Sequence, residues 1–413
     1  MREDNLLSLS YGRIIRKSID AAEGLLPESF ETYQIAEPGN IVMRLTDLQN
    51  DKRSLRQGLV KERGIITSAY DALELEKGHD PRFWAYALLA LDLAKYYYSL
   101  GGGVRQSIKF SDFPNDWIST PSTETQKAIA DFLDRETARI DQLIEKKQWL
   151  VGLIGERKRS VINLAVTVGF REYETRETGE KWLGKVAAHW RVAPLKWFTR
   201  LQSGFAFKAD RFGDIGTRLV RMNNIKRGVL DLDEAVCIAE QDINISAMLH
   251  AGDILIGMSG SIGETGSLGN FAVVGEDDLP CLLNQRVGRF QFVGNELLPG
   301  YLQLVIQSAP FLDPIFLAAT STAQFNVSPS QVGAIMFALP PISEQNEIIN
   351  EVAKQNTSLD RVQERTVEST TRLREFRSAL ITAAVTGQID VATWGKQGQT
   401  DRRLDEIEEA MQA

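Results

Sequence analysis

The sequence predicts an α+β protein in which two mixed α/β domains are separated by two long helices that form an antiparallel coiled coil. Three observations support this fold class. The chain of 413 residues contains an internal repeat with an offset of 219 positions. Each copy ends in a long segment with heptad-like apolar spacing, which is typical of a coiled coil. Short β-rich runs alternate with shorter helices in the segments that precede those two helices.

The first domain is predicted to span residues 1–119. Gly39 to Leu45 is a β-rich run, and Pro81 begins a helical segment that continues to Tyr98. The repeat pairs this domain with a longer second domain, so we expect the first domain to be incomplete at its N-terminus by several tens of residues.

A central helix over residues 120–169 and a distal helix over residues 340–388 form the best-matched part of the repeat. Their identical equivalent residues are Gln126/Gln345, Ile129/Ile348, Asp141/Asp360, Glu145/Glu364, Glu156/Glu375 and Ile162/Ile381. Apolar residues recur at steps of three, four or seven, including Leu143, Leu150, Leu164 and Val362. Some 40 residues at 1.5 Å each give a rod of about 60 Å. Two such helices would most simply pack antiparallel, and the gapless repeat argues against two unrelated surface helices.

The second domain is predicted to span residues 170–339 and is followed, after the distal helix, by a C-terminal tail over residues 389–413. Asp253 to Met258 is its clearest β-rich run, and Pro299 begins a helical segment. The glycine-rich stretch Gly257 to Gly266 lacks the terminal Gly-Lys-[Ser/Thr] of a nucleotide-binding loop. A hairpin between two strands is therefore favoured for it.

The charge of the chain is unevenly distributed. The net charge is -8, which argues against a free-standing nucleic-acid-binding protein. Between Lys181 and Arg227, however, eleven basic residues face two acidic ones, and between Asp231 and Glu296 two basic residues face eleven acidic ones. This pattern predicts a polarised second domain with one phosphate-facing side, and ordinary mixed charge is the alternative.

Several classes of protein are excluded by composition. Cys237 and Cys281 have no partner motif, and the three histidines His79, His189 and His250 have no metal-ligand spacing, so we expect neither a disulfide framework nor a metal site. No cofactor motif is present. No apolar stretch is long enough to cross a membrane and the N-terminus has no signal core, so we expect a cytoplasmic protein without a membrane partner.

Four segments resemble the specificity subunit of type I restriction–modification systems. Glu180 to Leu195 (EKWLGKVAAHWRVAPL) is similar to the start of a target recognition domain, and Pro340 to Ile348 (PPISEQNEI) to the segment that closes one. Asp131 to Asp141 (DFLDRETARID) and Leu380 to Asp390 (LITAAVTGQID) resemble the spacer helices. The resemblance covers nearly the whole chain, and the short N-terminus is its one departure.

The resemblance implies a function and partners. Each target recognition domain would recognise one half of a bipartite site in double-stranded DNA, and the helix pair would set the distance between the halves. The helices would also bind DNA adenine methyltransferase subunits, and a restriction/translocase subunit would be a further partner of the complex. The chain itself would be non-catalytic, since methylation and cleavage would come from those partners. The alternative is a truncated remnant, a coiled-coil scaffold or regulator that binds the methyltransferase subunit without recognising DNA through its first domain.

Candidate DNA-binding residues come from segments that combine basic, amide and aromatic side chains. Arginine suits guanine and asparagine suits adenine, in each case through two hydrogen bonds to the base edge. For the aromatics, core packing is the alternative. The candidates are Phe205, Lys208, Arg221, Asn223, Asn224 and Lys226 in the second domain, and Arg44, Arg53, Arg56 and Arg105 in the first.

Overall fold

The computed structural model divides the chain into two compact units. The first comprises Met1–Val151 and Glu364–Ala413, and the second comprises Gly152–Gln363. Both long helices are therefore shared, since each begins in one unit and ends in the other. The structure describes residues 5–10, 12–17, 30–46, 48, 55–100, 107–113, 118–262, 266–321, 325–394 and 398–410.

The first unit is built on two small sheets, with strand orders β2-β1-β6-β3 and β5-β4-β7. Its strands are β1 (Leu6–Ser10), β2 (Arg13–Lys17), β3 (Gln34–Ala36), β4 (Ile41–Met43), β5 (Gln57–Leu59), β6 (Gly64–Ile66) and β7 (Asp71–Leu73). Strand β4 pairs antiparallel with both β5 and β7, and β1 pairs parallel with β6. The β-rich run predicted around residue 41 therefore forms the central strand of its sheet.

Two helices follow these strands, α1 (Pro81–Leu93) and α2 (Tyr96–Leu100). Helix α1 begins where predicted because Pro81 suits the first helical position and the Asp80 side chain accepts a hydrogen bond from the Arg82 N–H at 2.9 Å. Its buried Phe83, Ala87 and Ala90 belong to the core that also contains residues of the long helices.

The two long helices are α3 (Thr123–Thr167) and, after the strands of the second unit, the segment Ile342–Val385. The Ser122 hydroxyl accepts a hydrogen bond from the Thr125 N–H at 3.2 Å and so caps α3. Helix α3 begins in the first unit and ends in the second, and the distal helix runs the opposite way. In each unit, one half of α3 therefore pairs antiparallel with one half of the distal helix. The predicted fold class is confirmed.

The second unit contains a four-stranded sheet of order β11-β21-β17-β19, a second of order β12-β16-β13-β20, and several small sheets. Its strands are β8 (Thr175–Glu177), β9 (Lys185–Ala187), β10 (Arg191–Pro194), β11 (Thr199–Ser203), β12 (Phe212–Gly213), β13 (Thr217–Val220), β14 (Ile225–Lys226), β15 (Val229–Leu230), β16 (Cys237–Ile238), β17 (Ile254–Gly257), β18 (Ser259–Gly260), β19 (Phe271–Val273), β20 (Cys281–Leu283), β21 (Val287–Phe292), β22 (Thr320–Ser321), β23 (Phe325–Asn326) and β24 (Met336–Leu339).

The remaining helices complete both units. They are α4 (Pro299–Gln307), α5 (Ala309–Ala318) and α6 (Pro329–Gly333) in the second unit, the distal helix α7 (Ile342–Val385), and α8 (Val391–Trp394) and α9 (Gln399–Glu409) in the first. The amphipathic α9 buries Leu404 and Ile407 in the same core as α1. Within the described ranges no single helix is long and apolar enough to span a bilayer; α4 and α5 pass that test only together, and they are bent by 58°.

The repeat found in the sequence corresponds to equivalent hydrogen bonds in the two units. The side-chain carbonyl of Gln126 accepts the Asp80 N–H at 3.0 Å, directly before α1. Its repeat partner Gln345 accepts the Leu298 N–H at 2.8 Å, directly before α4. Both glutamines are almost fully buried. Each satisfies a helix-start N–H that would otherwise be buried without a partner.

An ion pair of the helix pair is duplicated as well. Asp141 of α3 binds Arg377 of α7, with 2.8 Å between carboxylate oxygen and Nε, and the equivalent Asp360 binds Lys158. Lys158 and Arg377 are themselves 219 positions apart. The two halves of the coiled coil are thus built from the same interactions with the roles of the helices exchanged.

Part of the predicted seam is wrong. Leu150, Leu164 and Val362 are exposed by 38%, 47% and 46%, although their spacing predicts burial. Ile144 and Ile162 are buried instead. An α-helix has 3.6 residues per turn, so positions seven residues apart rotate by about 20° relative to a strict 3.5-residue repeat. Over 40 residues, positions assigned by a strict heptad therefore rotate out of the interface.

The start of α7 is anchored in the second unit by Glu344. Its carboxylate accepts hydrogen bonds from the Trp190 indole and from His189, each at 2.9 Å. Burial alone would raise the pKa of Glu344, but the hydrogen bonds from Trp190, His189 and Tyr173 outweigh it, and the pKa is lowered. The equivalent position in α3 is Thr125, so this anchor belongs to the second unit alone.

Candidate nucleic-acid interface

A groove of about 850 Å³ opens in the second unit where three separate segments meet. Its lining contains four cationic side chains, three asparagines and, among the described residues, no acidic side chain. The lining residues are Arg221, Met222, Asn223, Ile225, Lys226, Arg227, Gly266, Ser267, Asn270, Asn284 and Arg286. Because the chain carries a net charge of -8, this cationic concentration is a local feature of the fold.

The first wall is the turn that follows β13. Asn224 is 4% exposed, and its side chain accepts the Arg221 N–H at 2.9 Å and donates to the Asp231 carbonyl at 2.9 Å. These bonds close the turn and direct Asn223 to the surface. Asn224 was expected to contact DNA. Because its amide is buried and already bonded, we reassign it to positioning its neighbours.

Arg221 is half-buried at the base of the groove. Its guanidinium lies over the Phe212 ring, with 5.8 Å between the guanidinium carbon and the ring centroid. Its Nε is buried and has no hydrogen-bond partner within the described part of the chain. A buried donor of this kind is costly unless something binds it. The stacked guanidinium is held in place while part of its hydrogen-bonding capacity is unused.

The hairpin of β14 and β15 extends this wall. Lys226 pairs with Val229 across a turn in which Gly228 has a φ of +99°, a conformation that favours glycine. Lys226 and Arg227 are exposed, and Val229 is 62% exposed. The Gly228 N–H donates to the Phe271 carbonyl at 2.9 Å, so the hairpin holds its two exposed cations beside β19 at the groove.

The second wall comes from the glycine-rich connection between β17 and β19. These strands pair antiparallel, so the connection is a long hairpin loop, as expected, and residues 263–265 of it lie outside the described residues. A side chain at Gly266 would place its Cβ 2.2 Å from the Ser261 carbonyl oxygen, which requires glycine there. The Asn270 amide donates to the Gly266 carbonyl at 2.8 Å and fixes the loop against the groove.

The third wall is the tight turn between β20 and β21. The Asn284 N–H donates to the Val220 carbonyl at 3.1 Å, and the Gln285 N–H donates to the Phe205 carbonyl at 3.0 Å. The turn thus joins the two segments that the sequence singled out, around residues 205 and 221. It also presents Arg286, which sequence reasoning missed because this residue lies within a strongly acidic stretch.

Phe205 and Lys208 flank the groove without lining it. Phe205 is 43% exposed and packs edge-on against Phe207, with 4.9 Å between ring centroids, while Phe207 is buried. Lys208 is exposed. Gly204 allows this segment to approach the Asn284 carbonyl oxygen, since a Cβ there would lie 2.3 Å from it.

In the first unit the structure corrects one expectation. Arg44 is exposed, but Arg56 is 2% exposed, and its guanidinium donates to the Thr46 carbonyl at 2.7 Å and to the Tyr98 hydroxyl at 3.2 Å. Arg56 therefore holds the loop together and does not face a ligand. Arg53 and Arg105 lie outside the described residues.

The loop that contains Arg44 and Arg56 is the structural counterpart of the glycine-rich loop in the second unit. It joins β4 to β5 as residues 257–270 join β17 to β19. The Ile108 N–H donates to the Leu45 carbonyl at 3.0 Å, and the equivalent Val327 N–H donates to the Met258 carbonyl, also at 3.0 Å. The strands at the ends of the two loops, and the bonds of Leu45 and Met258, are thus equivalent in the two units.

The groove offers cations and amides to a ligand. Across the described residues, no group of three or more His, Cys, Asp or Glu side chains could hold a metal ion. Both cysteines are buried, and burial raises the pKa of the Cys281 thiol to about 12, so it is not a nucleophile at neutral pH. The arrangement is suited to anionic phosphates and to base edges.

Comparison with known proteins shows relatives of one kind. The EcoAI type I restriction enzyme specificity subunit of Escherichia coli is 34% identical over 152 residues, which are 36% of this chain and 25% of that protein. The MjaVIII type I restriction enzyme specificity subunit of Methanocaldococcus jannaschii is 24% identical over 333 residues, 80% of this chain and 75% of that protein. The chain thus spans a quarter of the first relative and three quarters of the second.

A solved structure agrees in fold. It comes from work on complex assembly and conformational transition of the type I R-M system, and it superimposes with a TM-score of 0.66 at 12% identity, over 87% of this chain and 84% of that one. No protein-family model matches the chain. The sequence relatives and the shared fold agree with the internal repeat, and the chain is similar to specificity subunits of type I restriction–modification systems.

Proposed function

We propose that this chain recognises a bipartite site in double-stranded DNA and positions DNA adenine methyltransferase subunits, and a restriction/translocase subunit, on that site. The proposal assigns residues 1–119 and 170–339 as target recognition domains, 120–169 and 340–388 as spacer helices, and 389–413 as a tail. The chain supplies recognition and no catalysis. We also propose that the complex acts in the cytoplasm.

The observation that carries the proposal is the groove of the second unit. It combines Arg221, Asn223 and Lys226, which were candidates on sequence grounds, with the adjacent Arg227 and with Arg286 from a distant segment. Arginine and asparagine supply the paired hydrogen bonds that distinguish guanine and adenine in the major groove, and exposed lysine suits phosphate. Phe205 and Lys208 lie beside it, and Arg44 is the exposed candidate in the first unit.

Methylome sequencing of cells that co-express the chain with its cognate methyltransferase subunit tests the proposal. A split motif with two specific parts is the expected result. Arg221→Ala should relax one position in one part while the other part stays unchanged. A wild-type chain that binds the active methyltransferase but directs no motif would contradict DNA recognition.

A second candidate function is supported by a difference between the units. In the second unit β11 pairs along the outer edge of β21, whereas among the described residues of the first unit no strand pairs with the outer edge of β7, its counterpart. The buried Arg56 also removes a candidate from that unit. A chain that binds the methyltransferase but recognises DNA only through its second domain would give a motif with a single specific half.

A further inference from the structure

We propose that Arg286 is a specificity-determining residue of the second recognition domain and that it contacts a guanine in the half-site of that domain. The inference rests on the proposed function, and it assigns base recognition to a residue from the acidic part of the sequence. Of the three exposed cations of the groove, it assigns Arg286 to a base and Lys226 and Arg227 to phosphates.

The backbone around Arg286 is held at four points. The Val287 N–H donates to the Asn284 carbonyl at 3.0 Å and closes the turn, and the Met258 N–H donates to the Arg286 carbonyl at 3.0 Å. The bonds of Asn284 and Gln285 to Val220 and Phe205 attach the same turn to two further segments. The Cα of Arg286 is therefore fixed before DNA binds, so less conformational entropy is lost on contact.

The side chain of Arg286 is exposed and lines the groove. Among the described residues its guanidinium has no hydrogen bond or ion pair. The neighbouring Arg289, by contrast, binds Asp253 and Gln202 at 3.1 Å and 2.6 Å. Arg289 is thus bonded within the fold, whereas Arg286 is available to a ligand.

The position of Arg286 differs from that of the other exposed cations. Lys226 and Arg227 lie on the β14–β15 hairpin, whose turn is bonded to the backbone of β19 through Gly228, and we assign these two cations to phosphates. Arg286 lies on the turn between β20 and β21, and Gly266 and Ser267 line the same groove. The planar guanidinium presents two parallel donors that match guanine O6 and N7.

The experiment is methylome sequencing with the full-length chain and its cognate methyltransferase, comparing wild type, Arg286→Ala and Arg286→Lys. Arg200→Ala is the matched control, since Arg200 is exposed on β11 of the same unit and does not line the groove. Arg286→Ala should turn one guanine-containing position of one half-motif degenerate. On purified complex, its preference for the wild-type base there should fall about tenfold or more. Arg286→Lys should show the same degeneracy, because an ammonium cannot form the paired bonds.

Three results would overturn the inference. If Arg286→Ala leaves the motif unchanged while Arg221→Ala alters it, DNA recognition stands without Arg286. If Arg286→Ala weakens binding equally for every sequence and Arg286→Lys restores it, the residue contacts phosphate. If folded Arg286→Ala and Arg286→Lys both lose binding to every DNA sequence to the same extent, the residue is structural. A wild-type chain without any motif would remove the proposed function itself.

Discussion

Two adjacent asparagines of the groove have opposite roles although they are chemically identical. Asn223 is exposed, whereas Asn224 is 4% exposed and has its amide bonded to the backbone on both sides of the turn. Residue type predicts the chemistry that a side chain can perform. The surroundings of the side chain decide whether its hydrogen bonds are made within the fold or remain available to a ligand.

Asn224→Ala should therefore destabilise the chain, because it leaves a buried N–H and a buried carbonyl without partners. The expected loss is about 1–3 kcal/mol of unfolding free energy. Asn223→Ala should change stability by less than about 0.5 kcal/mol, since surface substitutions are usually that mild. Urea unfolding of both variants measures this difference. Equal losses would show that Asn224 does not hold the turn.

At the scale of elements, the repeat produces equivalent hydrogen bonds between each long helix and the start of a shorter helix. Gln126 and Gln345 each lie near the start of a long helix and bond the N–H that precedes α1 or α4. Each also donates to a proline carbonyl, that of Pro121 or Pro340, at 2.9 Å. Both glutamines thus connect three chain segments at a buried junction.

Gln126→Ala and Gln345→Ala should each destabilise the fold by about 1–3 kcal/mol through buried groups left unpaired. Gln142→Ala, an exposed glutamine of α3, is the control. Hydrogen exchange should locate the loss at the start of α1 in the first variant and at the start of α4 in the second. Loss at the same place in both would contradict the equivalence of the two junctions.

The anchor of α7 makes stability depend on pH. The folded state lowers the pKa of Glu344 from 4.5, so its contribution to stability is complete above the unfolded pKa and is lost as pH falls through the lowered folded value. His189, Trp190 and Tyr173 hydrogen-bond the carboxylate of Glu344. Glu347 and Arg171 line a cleft beside it, which is separate from the cationic groove.

Glu344→Gln should therefore lower stability at pH 7 and reduce the loss that wild type shows on acidification below about pH 4.5. Thermal unfolding from pH 3 to pH 8 compares the two chains. Glu351→Gln, two turns further along α7, changes a carboxylate that bonds Gln355 and not Trp190 or His189, and it should follow the wild-type curve. A variant curve parallel to wild type would remove Glu344 as the group responsible.

At the scale of the whole molecule, an acidic chain carries a local cationic groove. The net charge of -8 predicts repulsion from DNA at long range, while the four cations of the groove provide attraction at contact. Counterion release then makes affinity depend on salt in proportion to the number of phosphates contacted.

Lys226→Ala should lower the slope of log affinity against log salt by about one and weaken binding uniformly across sequences. Salt titrations of the purified complex on specific and non-specific duplexes measure both effects. The exposed Lys185→Ala on β9 serves as the charge-matched control. A sequence-dependent effect of Lys226→Ala would assign that lysine to bases instead of phosphates.

The architecture of this protein could be predicted from its sequence. Apolar periodicity, helix starts and a gapless repeat are local signals, and they predicted two α/β domains separated by a helix pair, while four short motifs carried the resemblance to specificity subunits. The equivalences Gln126/Gln345 and Asp141/Asp360 correspond to equivalent contacts in the structure. The seam was predicted less well, because a small error in helical period accumulates over many turns.

Only the tertiary structure decided which candidate side chains meet. Arg286 reaches the groove because a turn between β20 and β21 is bonded to segments some 60 to 80 positions away. Arg56 is buried and unavailable to DNA for a similar reason, since its partners Tyr98 and Asp92 come from helices far along the chain. Burial and long-range hydrogen bonding depend on the three-dimensional path of the backbone, and residue type and local spacing do not contain that path.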